Sequence, residues 1–269
     1  MSAVVAERIT TTGRAGEAGH WYDRRGQPVY DIERSDGKGM RPVTLRDARK
    51  LRLLPGVSSI VRCAAAPGLE KWKQNQVLLA ALTLPKLPDE KETDWIERVW
   101  VDSKAQAAAA AEKGKAVHAA IEDHFKGIAP PDHLWVIVKS VRDALYDKFG
   151  LVEWEAEKSF AHSLGYGGKR DLRSKTGLIT LDFKTKEFGL DSKGKIDKEL
   201  AWDENLIQLC GYTMDDEPEA VLANVFVSVS TPGLVYIHTW DIMDRGRGNR
   251  MFKGLLHYWQ AKNNYDSGW

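Results

Sequence analysis

Three short stretches of this chain carry residue types suited to phosphate chemistry. The first is Gly168-Lys169-Arg170-Asp171-Leu172-Arg173-Ser174, followed by a turn at Lys175-Thr176-Gly177 and then Leu178-Ile179-Thr180-Leu181-Asp182-Phe183-Lys184-Thr185-Lys186. Its alternation predicts two antiparallel strands joined by a hairpin. Residues two apart share a strand face, so Asp182 and Lys184 point one way while Leu181 and Phe183 enter the core. The partner strand can bring Asp171 beside this pair. Two converging carboxylates repel unless something positive lies between them, and hard divalent ions such as Mg²⁺ or Mn²⁺ suit that arrangement. An ion so held can clamp a phosphate oxygen and lower the pKa of a bound water. A nearby lysine can then orient the water or steady charge developing on the phosphate.

The second stretch is Gly114-Lys115-Ala116-Val117-His118-Ala119-Ala120-Ile121-Glu122. On a helix, His118 and Glu122 project from one face, with Cβ atoms roughly 5–6 Å apart. Neutral imidazole suits a Mn²⁺-like metal. The third stretch, Glu204-Asn205-Leu206-Ile207-Gln208-Leu209-Cys210-Gly211-Tyr212, puts Gln208 and Tyr212 on one helical face. There they can hydrogen-bond a phosphate or a base, or brace the lysine.

The elements that must position these groups follow from periodicity. Strand-like pieces at 20–23 and 28–33 precede an Asp36-Gly37 turn. A helix over 45–53 is predicted, capped by Thr44 and closed by Pro55-Gly56, with a further helix from Val57. Helices are predicted over 69–82, over 94–126 as one or two pieces mildly interrupted at Gly114, and over 132–149. After Gly150 the period becomes alternating, giving strands at 152–163, 165–174 and 177–188. A helix over 203–215 capped by Asp203, strands at 221–230 and 234–242, and a last helix from Gly246 to about Lys262 complete the chain. The run Arg245, Arg247 and Arg250, with glycines and Asn249, reads as a phosphate-binding or solvated loop where that helix begins. Trp72, Trp95, Trp100 and Trp202 read as packing residues. The pattern is α/β or α+β around a mixed sheet.

Asp171, then Asp182-Phe183-Lys184, resemble the PD-(D/E)XK nuclease superfamily. His118 upstream, with Gln208 and Tyr212 downstream, narrows the resemblance to the RecB-like exonuclease branch, which includes phage exonucleases and mitochondrial genome maintenance exonucleases. Leu54-Pro55-Gly56-Val57-Ser58-Ser59-Ile60 and Leu69-Glu70-Lys71-Trp72 also resemble that type, and the likeness covers roughly residues 51–260. It implies an α/β fold: a restriction-endonuclease-like core with a central mixed β-sheet flanked by helices, plus a helical N-terminal portion. Residues 1–50 would be an N-terminal extension packed on the core, and 51–269 the nuclease domain with a helical insertion.

The resemblance also implies roles. Asp171, Asp182, His118 and the Phe183 carbonyl would hold one or two Mg²⁺ or Mn²⁺ ions. Lys184 would position or activate the attacking water, and Gln208 and Tyr212 would organise the site. Lys169, Arg170 and Lys186 would contact DNA. Glu157 or Glu155 could add a carboxylate, and alternation puts both on one face, which leaves the choice open. Glu122 could brace His118. The implied activity is metal-dependent DNA exonuclease action from strand ends, in phage or bacterial recombination, repair or replication. Alternatives are a structure-specific or restriction-like endonuclease and a non-catalytic DNA-binding module. DNA is the implied partner, and a recombination or single-strand-binding protein is compatible as a second.

Composition sets outer bounds. Lys and Arg total 39 against 38 Asp and Glu, which argues against a basic coat-like nucleic-acid binder but leaves room for a local basic groove. Two cysteines, Cys63 and Cys210, cannot form a four-cysteine zinc or iron–sulfur site, unlike the CRISPR-associated relatives of the branch. No apolar run reaches the length of a membrane span, and the first twenty residues lack a signal-peptide core. A reducing, cytoplasmic setting in a bacterial or phage-infected cell is the expectation.

Overall fold

The computed structural model describes residues 20–214 and 218–267. Residues 1–19 of the expected N-terminal extension lie outside the described residues, as does Asp215 at the expected end of a helix.

The N-terminal part is tied to the rest by short pairings. β1 (Trp21–Tyr22) pairs antiparallel with β4 (Leu54–Pro55), and β2 (Asp31–Glu33) pairs with β3 (Met40–Pro42). Between them, α1 (Leu45–Leu51) opens on a capping box: Thr44 accepts from the Asp47 amide, and Asp47 accepts from the Thr44 amide. Arg41 clamps the same carboxylate at 2.6 and 2.9 Å. The helix stops at Arg52, which takes a left-handed φ of 55°. It therefore ends ahead of Pro55-Gly56, and Leu54-Pro55 act as a strand rather than a stop signal.

α2 (Val57–Val61) and α3 (Pro67–Thr83) follow, then α4 (Glu92–Phe125) as one unbroken helix. The α3–α4 connection is pinned: Trp95 Nε1 donates to the Leu84 carbonyl at 2.7 Å, and Arg98 pairs with Glu90 at 2.7 Å. Gly114 does not break α4. It lets the helix approach the sheet, since a Cβ there would lie 2.6 Å from Thr185 Oγ1. A single 3₁₀ turn (Asp132–Leu134) leads into α5 (Trp135–Phe149).

The central sheet runs β5 (Trp154–His162), β6 (Tyr166–Ser174), β7 (Ile179–Lys186), β8 (Val221–Ser228) and β9 (Val235–Trp240), neighbours in that order. Every adjacent pair is antiparallel except β7–β8, which is parallel and joined through α6 (Asp203–Tyr212). The architecture is thus mixed α/β, a five-stranded mixed sheet flanked by helices. Val117, Ile121, Val138, Val141 and Leu145 pack on Leu172, Leu181, Phe183 and Val225. A second cluster joins Trp21, Val43 and Ile60 to Tyr166, Ile207, Phe252 and Trp259. Residues on both sides of position 50 share it. No helix among the described residues is long and apolar enough to cross a membrane.

Three expectations are corrected here. α6 starts after Trp202, whose amide is taken by the Asn205 side chain at 3.1 Å, so Asp203 is inside the helix rather than its cap. α7 (Ile242–Asn263) begins ahead of Gly246, because Asp241 caps it by accepting from the Asp244 amide at 2.8 Å. The arginine run is therefore helical. Arg245 is buried and donates to the carbonyls of Ala220 and Thr213 at 3.1 and 3.2 Å, and Arg247 pairs with Asp203 at 2.6 Å. Finally, Trp100 and Trp202 are 45% and 38% exposed, more open than packing residues should be.

The glycines inside α6 and α7 let the two helices touch. A Cβ at Gly248 would sit 2.5 Å from Cys210 Sγ and 2.8 Å from Leu206 Cγ. Helix propensity alone predicts that G248A gains up to about 1 kcal/mol. Overpacking predicts the opposite sign, and we expect G248A to lose about 1–3 kcal/mol in urea unfolding.

Candidate active site

The site forms where β6 and β7 part. Their ladder holds only Leu172–Leu181 and Arg173–Thr180. One step further, the strands would face Asp171 to Asp182. There the Phe183 amide donates instead to Asp171 Oδ2, at 2.8 Å. Asp171 Oδ1 faces His118 Nε2 at 3.4 Å, and Glu157 Oε1 lies 3.9 Å from the same nitrogen. One ligand atom each from His118, Glu157 and Asp171 can be drawn within 4.8 Å of one another. Two carboxylates and an imidazole at that separation form a donor set for a divalent cation.

Glu157 is the carboxylate that alternation could not choose. It has a left-handed φ of 57°, and the β5–β6 pairing skips it while resuming unchanged on either side. The cost of this conformation in a non-glycine residue is borne where it turns a carboxylate toward Asp171 and His118. Glu155 instead pairs with Lys158 at 2.9 Å and is half-exposed. Nothing in the local sequence, neither glycine nor asparagine, signals the kink.

Asp182 is placed differently from the expectation of a metal ligand. Its carboxylate is fully buried. Oδ1 accepts from Lys184 Nζ at 2.9 Å and Oδ2 from Asn224 Nδ2 at 2.8 Å. Asn224 in turn accepts from Trp240 Nε1 at 2.7 Å. The carboxylate is thus outside the His118–Glu157–Asp171 group, although His118 feels its charge and it feels that of Asp171. Asn224 and Trp240 were not singled out from the sequence. The available signal was a lone asparagine in the apolar strand Val221-Leu222-Ala223-Asn224-Val225-Phe226.

Lys184 is held from two sides. Besides Asp182, its Nζ donates to Gln208 Oε1 at 2.9 Å, and Gln208 Nε2 donates to Tyr212 Oη at 2.8 Å. The bracing expected of Gln208 and Tyr212 is the arrangement found. Phe183 sends its ring into the core, edge-on to His118 at 6.0 Å. Glu122 departs from its expected role: it pairs with Lys126 further along α4 rather than with His118.

The three expected DNA contacts all have internal partners. Arg170 donates to the Tyr212 carbonyl at 2.8 Å and lies 4.2 Å over the Phe160 ring. Lys186 donates to the Leu200 carbonyl at 2.8 Å, and burial lowers its pKa. Lys169 pairs with Glu157, and burial again lowers its pKa.

Electrostatics follow from these contacts. Burial pushes the Asp182 carboxyl up to about 6, with Lys184 pulling against it and Asp171 adding to it. Burial also opposes the charge on Asp171, but His118, Lys184 and the Phe183 amide outweigh it and lower its pKa. Burial opposes the charges on His118 and Lys184 as well, and the carboxylates outweigh it, so both are raised. The Tyr212 phenol is pushed up by burial, then by Asp171 and Asp182.

No protein-family model matches the chain, and no curated protein matches it. A solved structure described as "Crystal structure of SSO0001" aligns with a TM-score of 0.32 and 13% identity, over 71% of this chain and 86% of that one. A likeness of that size carries no functional argument.

Two outcomes follow. E157Q should weaken Mn²⁺ binding at least about tenfold in isothermal titration calorimetry, while E155Q leaves it unchanged. The second concerns the metal-free protein. Because Asp182 binds its proton more tightly folded, at about 6, than in the unfolded chain, its contribution to stability falls as pH rises from about 4 to about 6. Relative to wild type in EDTA, D182N should therefore gain about 2–3 kcal/mol across that window, read from urea midpoints.

Proposed function

We propose that this chain is a metal-dependent DNA exonuclease of the PD-(D/E)XK type, hydrolysing phosphodiester bonds from strand ends. The observation that carries the reading is one cluster: Asp171 and Asp182 on parting strands, Lys184 beside them, and His118 and Glu157 facing Asp171. The donor set fits Mg²⁺ or Mn²⁺, with His118, Glu157 and Asp171 as the residues that would hold it. A bound divalent ion supplies Lewis-acid polarisation of the phosphate and a more acidic water.

The chain's own residues supply the rest. Lys184 carries a positive charge whose direction is fixed by Asp182 and Gln208, and it positions the attacking water or steadies charge on the phosphate. Asn224 and Trp240 hold the Asp182 carboxylate, so that it keeps Lys184 charged rather than rotating away. Tyr212 fixes the amide of Gln208.

The preference for ends draws on α3 and α4. α4 runs from His118 back to Glu92, about 40 Å of helix, and α3 returns antiparallel along it. α4 rests on β7 at Gly114, while α3 begins near Trp202 at the start of α6. This hairpin carries His118 on its second leg and projects away from the sheet, an arrangement suited to guiding one strand to the site.

K184A should lower cleavage of end-labelled DNA by about 10²–10³-fold with the fold intact by circular dichroism, and EDTA should abolish cleavage. Linear single strands should be degraded and circular ones spared. Equal cutting of both would replace the exonuclease with an endonuclease, and full activity in K184A would remove the site assignment.

A further inference from the structure

The sheet face that bears Asp182 and Lys184 continues to the β9 edge. Strand register extends two rows across it: Asp182, Asn224 and His238 in one, and Lys184, Phe226 and Tyr236 in the other. With strands about 4.8 Å apart, the β9 residues lie about 10 Å from the Asp182–Lys184 row. A cavity of about 620 Å³ opens at this edge, lined by Tyr236, His238 and the 190–201 loop.

The cavity is built rather than incidental. Its wall is folded on itself, with a Leu190–Ile196 bridge, and Asp191 Oδ1 accepts from the amides of Lys193 and Lys195 at 2.8 and 2.9 Å. Lys186 ties the wall to β7 through the Leu200 carbonyl. Tyr236 is 37% exposed and stacks at 23° on the fully buried Phe226, which fixes the plane of its ring. His238 is set against Trp240 at 4.3 Å. Lys195 and Lys198 on the wall are exposed, and neither side chain has an ion-pair partner among the described residues.

An oriented aromatic ring beside two uncommitted ammonium groups suits a base stacked between charged phosphates. We propose that this cavity receives a nucleobase of the single strand whose scissile phosphate lies at Lys184. Tyr236 stacks on the base, and Lys195 and Lys198 meet the flanking phosphates. The proposal rests on the nuclease reading for the position of that phosphate.

The test is fluorescence-polarisation binding of end-labelled oligothymidylate in EDTA, where no metal-dependent cleavage occurs. Y236A should weaken binding about tenfold, and Y236F should bind as wild type does. The Y236A penalty should vanish on an abasic strand of equal length, whereas K195A/K198A should weaken both strands alike. Equal affinity of Y236A and wild type for oligothymidylate overturns the proposal, as does an equal Y236A penalty on the abasic strand. Displacement of the strand by equimolar thymidine 5′-monophosphate would mark a free-nucleotide site and overturn the strand assignment; retention of the strand supports it. Cleavage with Mn²⁺ is scored in parallel. Wild-type cleavage with unchanged Y236A affinity sinks the cavity alone. No cleavage with a base-dependent Y236A defect sinks the nuclease reading alone and leaves the cavity as a base-binding site.

Discussion

The whole site depends on a sheet that stops zipping. β6 and β7 pair through only two residue pairs before they separate. An interior amide left without a partner is costly, so the Phe183 N–H needs an acceptor once the ladder ends. Asp171 provides it with one oxygen and keeps the other toward His118. Had the ladder continued, Asp171 and Asp182 would face each other with Cβ atoms about 4.5–5.5 Å apart and little space between. The break in pairing makes the opening, and the side chain that repairs the break is also the one best placed to hold a cation.

Behind this opening the charges are arranged in depth. Asp182 and Lys184 form a buried pair, which by itself costs desolvation and adds little stability. Its partners change what it does. Asn224 and Trp240 fix the carboxylate from below, and Gln208 and Tyr212 fix the ammonium from the side. The result is a lysine whose pKa is raised in a setting where burial alone would lower it. Asp171 and Glu157, nearer His118, are the carboxylates that could hold a cation. The two aspartates shift in opposite directions because His118, Lys184 and the Phe183 amide outweigh burial at Asp171, whereas burial outweighs Lys184 at Asp182.

Much of this was legible because it rests on short-range rules. Alternation after Gly150 marked β5, β6 and β7, and the two-residue period put Asp182 with Lys184 and sent Leu181 and Phe183 inward. Helical spacing put Gln208 beside Tyr212. What escaped was set by neighbours distant in sequence. The left-handed Glu157 has no local cause. Glu122 shares a helical face with His118, but Lys126 on the same helix takes its carboxylate. Lys169, Arg170 and Lys186 looked available because a sequence does not show the carboxylate, carbonyls and rings that hold them. The sequence pattern starts the last helix at Gly246, whereas the Asp241 cap starts it at Ile242, and only the close crossing with α6 explains Gly248.

The Asp182–Asn224–Trp240 chain also has a meaning in time. Asp182 emerges from the ribosome well before the two residues that hold it, which lie 42 and 58 positions later. Until β8 and β9 have been made, its carboxylate has neither Asn224 nor the indole behind it, and Lys184 lacks Gln208 until α6 arrives. A nascent chain therefore carries the charged residues without the framework that aims them. The arrangement belongs to the finished sheet, so its geometry comes into being only once β9 has been made.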